Sequence, residues 1–251
     1  MSTSICLCAL AVVLSGGDAV AGNFQVQPTR LDLARRGATT ELTVSNRGHL
    51  AARFEAKIFV WKQDEQGVMQ LEPTKEIVVY PTLFTIEPGA KRSVRVAATS
   101  GPAAAERSYR IFVEELPMPR TTASRDAVTA VAVRTRIGVP IFVAPSRSEL
   151  RGVVEGGVSA GVVRVKLHNQ STVHVKVTGL RIVAKDSDGS VVLDQQQSSW
   201  YVLAGGIRRH ELTMPALACQ RASRLFIEAV TSQGTWKTSI AMPNDGCSGT
   251  K

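Results

Sequence analysis

Four histidines and four cysteines are the side chains of this 251-residue sequence best suited to chemistry. His49, His168, His174 and His210 would have to be the bases or metal ligands of an enzyme. None stands in a nucleophile elbow, an HExxH helix or any other spacing with a mechanism attached. His168 and His174 fall in or beside strand-like segments and read as surface or half-buried residues. The sequence therefore predicts no enzyme, no metal site and no cofactor. Cys6 and Cys8 lie in an apolar N-terminal segment, and their removal with it would leave Cys219 and Cys247. No CxxC or HxxxH spacing accompanies that pair, which argues against zinc. In an exported chain an even pair is expected to close one disulfide. Lys and Arg outnumber Asp and Glu by 30 to 21, and the isoelectric point is near 9.8. Such an excess would suit an acidic partner, a membrane surface or nucleic acid. It is dispersed rather than blocked, with no nucleic-acid-binding motif beside it, so nucleic-acid binding is not expected.

The elements that must position these residues begin after an export signal. Residues 5–14 are apolar, Gly16 and Gly17 interrupt them, and Ala19-Val20-Ala21 has the small-x-small form of a signal-peptidase site, so residues 1–21 read as a signal peptide. One departure is the lack of Lys or Arg in residues 1–6, where such signals usually carry them. The apolar run is too short to cross a hydrocarbon core of about 30 Å, and no later segment spans one, so no stable membrane insertion is expected. With 44% hydrophobic and 20% charged residues the rest of the chain can bury ordinary cores. Period-two alternation predicts strands over residues 41–45, 52–60, 91–97, 110–114 and 128–137. Pro140, Pro145 and Ser146 then interrupt the pattern. A second series follows over residues 162–168, 174–184, 191–193, 208–214, 224–229 and 235–241. No stretch shows sustained helical periodicity. The expected architecture is all-β, two immunoglobulin-like β-sandwich domains over residues 22–145 and 146–251.

Several strings in the first half resemble the periplasmic pilus-assembly chaperones of the PapD-like family. Thr29-Arg30, a polar turn at Arg36-Gly37 and then Glu41-Leu42-Thr43-Val44-Ser45-Asn46 match the family's first two strands without a gap. Pro81-Thr82-Leu83-Phe84-Thr85-Ile86-Glu87-Pro88-Gly89-Ala90-Lys91, leading into Val94-Arg95-Val96, is similar to its most recognisable string. Ser108-Tyr109-Arg110-Ile111-Phe112-Val113-Glu114-Glu115-Leu116-Pro117 resembles the next strand and its exit, followed by a long strand over residues 128–143. Arg136-Ile137-Gly138-Val139-Pro140-Ile141-Phe142-Val143 looks more like the archaic branch of these chaperones than the classical one. Beyond residue 145 only Leu167-His168-Asn169 and residues 173–180 look familiar.

The resemblance implies a periplasmic chaperone that binds, folds and caps pilus subunits and delivers them to an outer-membrane usher. Members of the family do this by lending a β-strand to a subunit that lacks its last one, a form of strand addition. The strand implied here carries Val131, Val133, Thr135 and Ile137 on one face and Ala130, Ala132, Arg134 and Arg136 on the other. By alternation alone the first set could equally face its own domain's core, and Val128 and Ile137 stand on either side of that balance. Arg30 occupies the family's carboxylate-binding position on its first strand. A lysine expected further on is replaced by Gly138, which leaves Arg136 as the nearest second cation, with Arg134 and Arg95 behind it. Pro81, after Tyr80, is a candidate cis proline by the same resemblance. A secreted adhesion or carbohydrate-binding sandwich would share the fold, signal and disulfide. What separates them is the pairing of Thr29-Arg30 with a valine-rich strand a hundred residues later, which an adhesin has no reason to keep.

Overall fold

The computed structural model describes residues 24–34, 37–99, 101, 103–117 and 134–248. The signal segment and the predicted donor residues Val131 and Val133 lie outside the described residues.

The alternation read from the sequence becomes two sandwiches in succession. In the first, one sheet is formed by β1 (Phe24–Gln27), β3 (Thr39–Asn46), β8 (Lys91–Ala98) and β6 (Ile77–Tyr80), in the order β1-β3-β8-β6. The other contains β2 (Leu31–Leu33), β10 (Arg136–Val143), β9 (Arg107–Leu116), β4 (Ala52–Gln63) and β5 (Met69–Pro73) in that spatial order, with β7 (Leu83–Ile86) also on β4. Leu42 and Val44, Val94 and Val96, and Ile111 and Val113 are buried between the sheets, whereas Ser93 and Arg95 beside them are exposed. The buried Asn46 organises one end: its Nδ2 donates to the carbonyls of Leu50 at 2.8 Å and Ile86 at 3.0 Å, and its Oδ1 accepts the Gly48 N–H. The Tyr80–Pro81 peptide is cis, in line with the expectation, and so is Gln27–Pro28.

The second sandwich sets β11 (Gly152–Ser159), β12 (Val162–Asn169) and β16 (Ile207–Thr213) against β14 (Val191–Gln197), β13 (Val175–Lys185), β17 (Arg224–Thr231) and β18 (Gly234–Ala241), with β15 (Tyr201–Val202) on β13. The sequence reading missed β11. Its glycines blur the alternation because they serve packing: a Cβ at Gly152 would lie 1.9 Å from the Trp236 ring, and one at Gly156 2.5 Å from Ile227. It also missed the helix α1 (Ala216–Arg221), too short to show a period. Cys219 on α1 is bonded to Cys247 as expected, at 1.97 Å.

Among the described residues, contacts at several separate places join the sandwiches, including the Glu106 N–H donating to the Thr172 carbonyl at 2.8 Å. Trp61 and Phe142 of the first pack with Tyr201 of the second in a separate apolar cluster. The Glu106 carboxylate accepts both the backbone N–H of His174 at 3.0 Å and its Nδ1 at 2.8 Å, while the His174 ring stacks on Phe142 at 3.6 Å. At the β4–β5 turn the Glu65 carbonyl accepts the Arg209 N–H at 2.7 Å, and the two side chains form an ion pair. No helix among the described residues is long and apolar enough to cross a membrane.

Candidate functional site

Strand register decides which side chains face the cleft between the sandwiches. β2 runs parallel to β10 with Leu31 opposite Ile141, and both are buried in the first core. Alternation therefore turns Arg30 and Asp32 outward with Pro140 and Phe142. In β9 the same rule sends Tyr109, Ile111 and Val113 into the core and leaves Arg110, Phe112 and Glu114 on the cleft face.

Arg30 is half-exposed, and its Nε donates to the Asp32 carboxylate at 2.9 Å. Arg110 differs sharply. Only 7% of it is exposed, its guanidinium carbon lies 5.0 Å from the Trp61 ring centre and 4.7 Å from that of Trp200, and its Nη2 donates to the Gly138 carbonyl at 3.2 Å. Its Nε has no acceptor, and among the described residues no carboxylate pairs with it. Burial lowers its pKa from the usual value, partly opposed by Tyr201, but a guanidinium remains charged at any physiological pH. Burial also raises the Tyr201 pKa, while Arg30, Asp32 and Arg110 act on it electrostatically. The phenol thus stands within the field of both arginines, across the cleft from β9 and the start of β2.

Arg136 lies at the far end of β10. Its guanidinium carbon sits 4.1 Å from the Phe112 ring centre, and its Nε is 3.8 Å from the Glu114 carboxylate. Pro140, the register neighbour of Arg30, is four residues further on, roughly 13 Å along an extended strand. Gly138 between them is shaped by Phe112, since a Cβ there would come within 2.8 Å of that ring. Arg134 is exposed, and Arg95 lies on β8 in the opposite sheet, paired with Glu41 at 3.2 Å. Arg110 is the cation that the sequence reading passed over. Its signal was an arginine in the middle of an apolar strand.

One edge of β10 bonds to β9 from Arg136 to Val143; among the described residues the other edge is paired only from Ile141 to Val143. Thr135 joins the β9 side, its carbonyl accepting the Glu115 N–H at 2.9 Å. Ile137 is half-buried against its own domain's core. Of the other histidines, His168 contacts Gln170, and His210, whose pKa is lowered by burial and then by Arg208, contacts Ser199. Among the described residues no cluster of His, Cys, Asp or Glu is placed to hold a metal ion.

Residues 23–149 match the family described as pili and flagellar-assembly chaperone, PapD N-terminal domain. No curated protein sequence matches the chain. Among solved structures, it is similar to a chain of the CsuC–CsuE chaperone and tip-adhesion-subunit pre-assembly complex from the archaic chaperone-usher Csu pili of Acinetobacter baumannii, with TM-score 0.59 and 19% identity over 87% of this chain and 97% of that one. The class 5 fimbriae chaperone CfaA gives 0.56 and 14% over 86% and 98%. A chain of the Salmonella enterica SafA pilin in complex with the SafB chaperone gives 0.55 and 14% over 89% and 99%. At such identities these likenesses concern the fold. The family match covers half of the chain and includes every strand lining the first-domain side of the cleft, and the chain belongs to the family of pili and flagellar-assembly chaperones.

Proposed function

We propose that this chaperone captures a pilus subunit in the periplasm by adding strand β10, extended backwards through Val133 and Val131, to the subunit's open edge, and that it passes the subunit to an outer-membrane usher. On this reading residues 1–21 are the export signal, and the sandwiches occupy residues 22–145 and 146–251. The observation that carries it is the edge of β10 that is half unpaired among the described residues, leading into a cleft where none of the described carboxylates pairs with Arg110. An unpaired strand edge is a template for another strand. A buried cation without a counter-charge stands to gain from an incoming anion. Arg30 and Arg110 would fork the subunit's C-terminal carboxylate beside Tyr201, fixing where the subunit's last strand starts along β10. Thr135 and Ile137 continue the face of Val131 and Val133, so a subunit groove would receive the ridge where it runs past the chaperone's own core. Arg136 would act further along the strand, near side chains upstream of the terminus.

Affinity purification of the tagged chain from the periplasm of its host, followed by mass spectrometry, tests the reading. The expected result is a stoichiometric complex with an exported β-rich polypeptide whose final residues are shielded from carboxypeptidase. A correctly folded chain that recovers no such partner would sink it.

A further inference from the structure

The distances around Arg110 hold more than a cation in a cleft. Its guanidinium carbon is 5.0 Å from the Trp61 centroid and 4.7 Å from that of Trp200, yet the two indole centroids are themselves only 5.5 Å apart. Three nearly equal separations make a triangle. Both indole centroids therefore lie in the same direction from the guanidinium carbon, not on opposite sides of it, while the Phe112 ring centre stands 5.9 Å away and Nη1 meets the Met69 sulfur at 3.7 Å. Trp61 comes from β4 of the first domain, whereas Trp200 precedes β15 in the second. The Trp200 carbonyl accepts the Val177 N–H at 2.8 Å, and its ring meets Tyr201 at 5.3 Å, which fixes the indole to its own sandwich.

We infer that Trp200 is a positioning residue for the carboxylate anchor, so that recognition of the subunit's terminus is shared between the two domains and acts through Arg110. The inference rests on the carboxylate-anchor reading above. An indole face attracts a guanidinium through its ring quadrupole, most strongly where water is displaced. The two indoles restrict tilting and screen the cation from solvent, so that the Nε without an acceptor is held in one orientation toward an incoming carboxylate. Charge-assisted hydrogen bonds reward that geometry, and a neutral terminal amide gains much less from it. Trp200 thus sharpens the distinction between a free carboxyl terminus and a blocked one. A chaperone that must accept only complete subunit chains needs that distinction.

The test uses the full mature chain and two fluorophore-labelled probes: an alternating Val/Thr peptide with a free C-terminal carboxylate, and the same peptide as a C-terminal amide. Wild-type protein is expected to prefer the acid by about tenfold or more. Trp200→Leu keeps apolar bulk without a π face, and its preference is expected to fall to about twofold with circular dichroism unchanged. Trp200→Phe restores a ring and should recover most of the preference. If wild-type protein binds both probes alike, or neither, the anchor reading fails and takes this inference with it. If wild type discriminates and Trp200→Leu discriminates equally well, the anchor stands and the role of Trp200 is overturned.

Discussion

Arginine appears in this chain at several exposed positions with a carboxylate at hand, and such pairs contribute little to stability. Arg30 is one of them: its contact with Asp32 is solvent-accessible and can be exchanged for a stronger fork to an incoming terminus. Arg30→Ala should therefore leave fold and disulfide intact while abolishing subunit recovery in periplasmic pull-downs. Arg136→Ala, removed from Arg30 along β10 and already engaged by Phe112 and Glu114, should reduce recovery less. Normal recovery with Arg30→Ala would remove the anchor. Arg30 was singled out in the sequence because it stands at the start of a string similar to the family's first two strands. Arg110 was not, because its character comes from Trp61 and Trp200, which only the tertiary fold brings to it. His210 offers a separate residue-scale test. Burial and then Arg208 hold its pKa below the ordinary value, so the unfolded chain takes up the proton first as pH falls. Its contribution to stability is present above about pH 6.5, the unfolded imidazole value, and is lost below it. Denaturant midpoints measured between neutral and mildly acidic pH should fall less in His210→Gln than in wild type; parallel curves would contradict the assignment.

Strands such as β3, β8 and β17 were readable from alternation because one face of each meets a core and the other meets water. The same rule failed where glycine replaces side-chain bulk, as in β11, and where an element is too short for a period, as in α1. The two sandwiches nevertheless repeat one device. Asn169 does at the end of β12 what Asn46 does at the end of β3, donating from Nδ2 to the carbonyls of Val173, Val202 and Leu203 and accepting the Ser171 N–H. On the reading proposed above, β10 is the element that pairs with the subunit. Val131→Glu with Val133→Glu should leave a folded chain that no longer retains its subunit, because a carboxylate cannot enter an apolar groove without a large desolvation cost. A double variant that fails to fold would show instead that these valines serve the chaperone's own core. The disulfide ties α1 to the end of the chain across a separation of 28 residues. Replacing both cysteines by serine should cost about 3 to 4 kcal/mol if loop entropy dominates, read as a shift in the urea midpoint of the second domain. An unchanged midpoint would show that packing around α1 holds it without the covalent link.

The two-sandwich architecture was legible from the rhythm of strands, but the joint between the sandwiches was not. Glu65, Glu106, His174 and Arg209 are scattered through the sequence, and nothing local marks them as partners. Two bodies that touch at a single point can swivel freely; a second contact leaves only rotation about the line between the two, and a third off that line removes it. Here the β4–β5 turn with Arg209, the aromatic cluster around Trp61, and the Glu106–His174 pair supply three. With the subunit's terminus anchored as proposed above, the joint would serve as a machinist's jig and the cleft as its fixed stop. A segment pushed against that stop is measured off by the strand beside it, so chains too short or too long by even one residue would present the wrong side chains along the gauge.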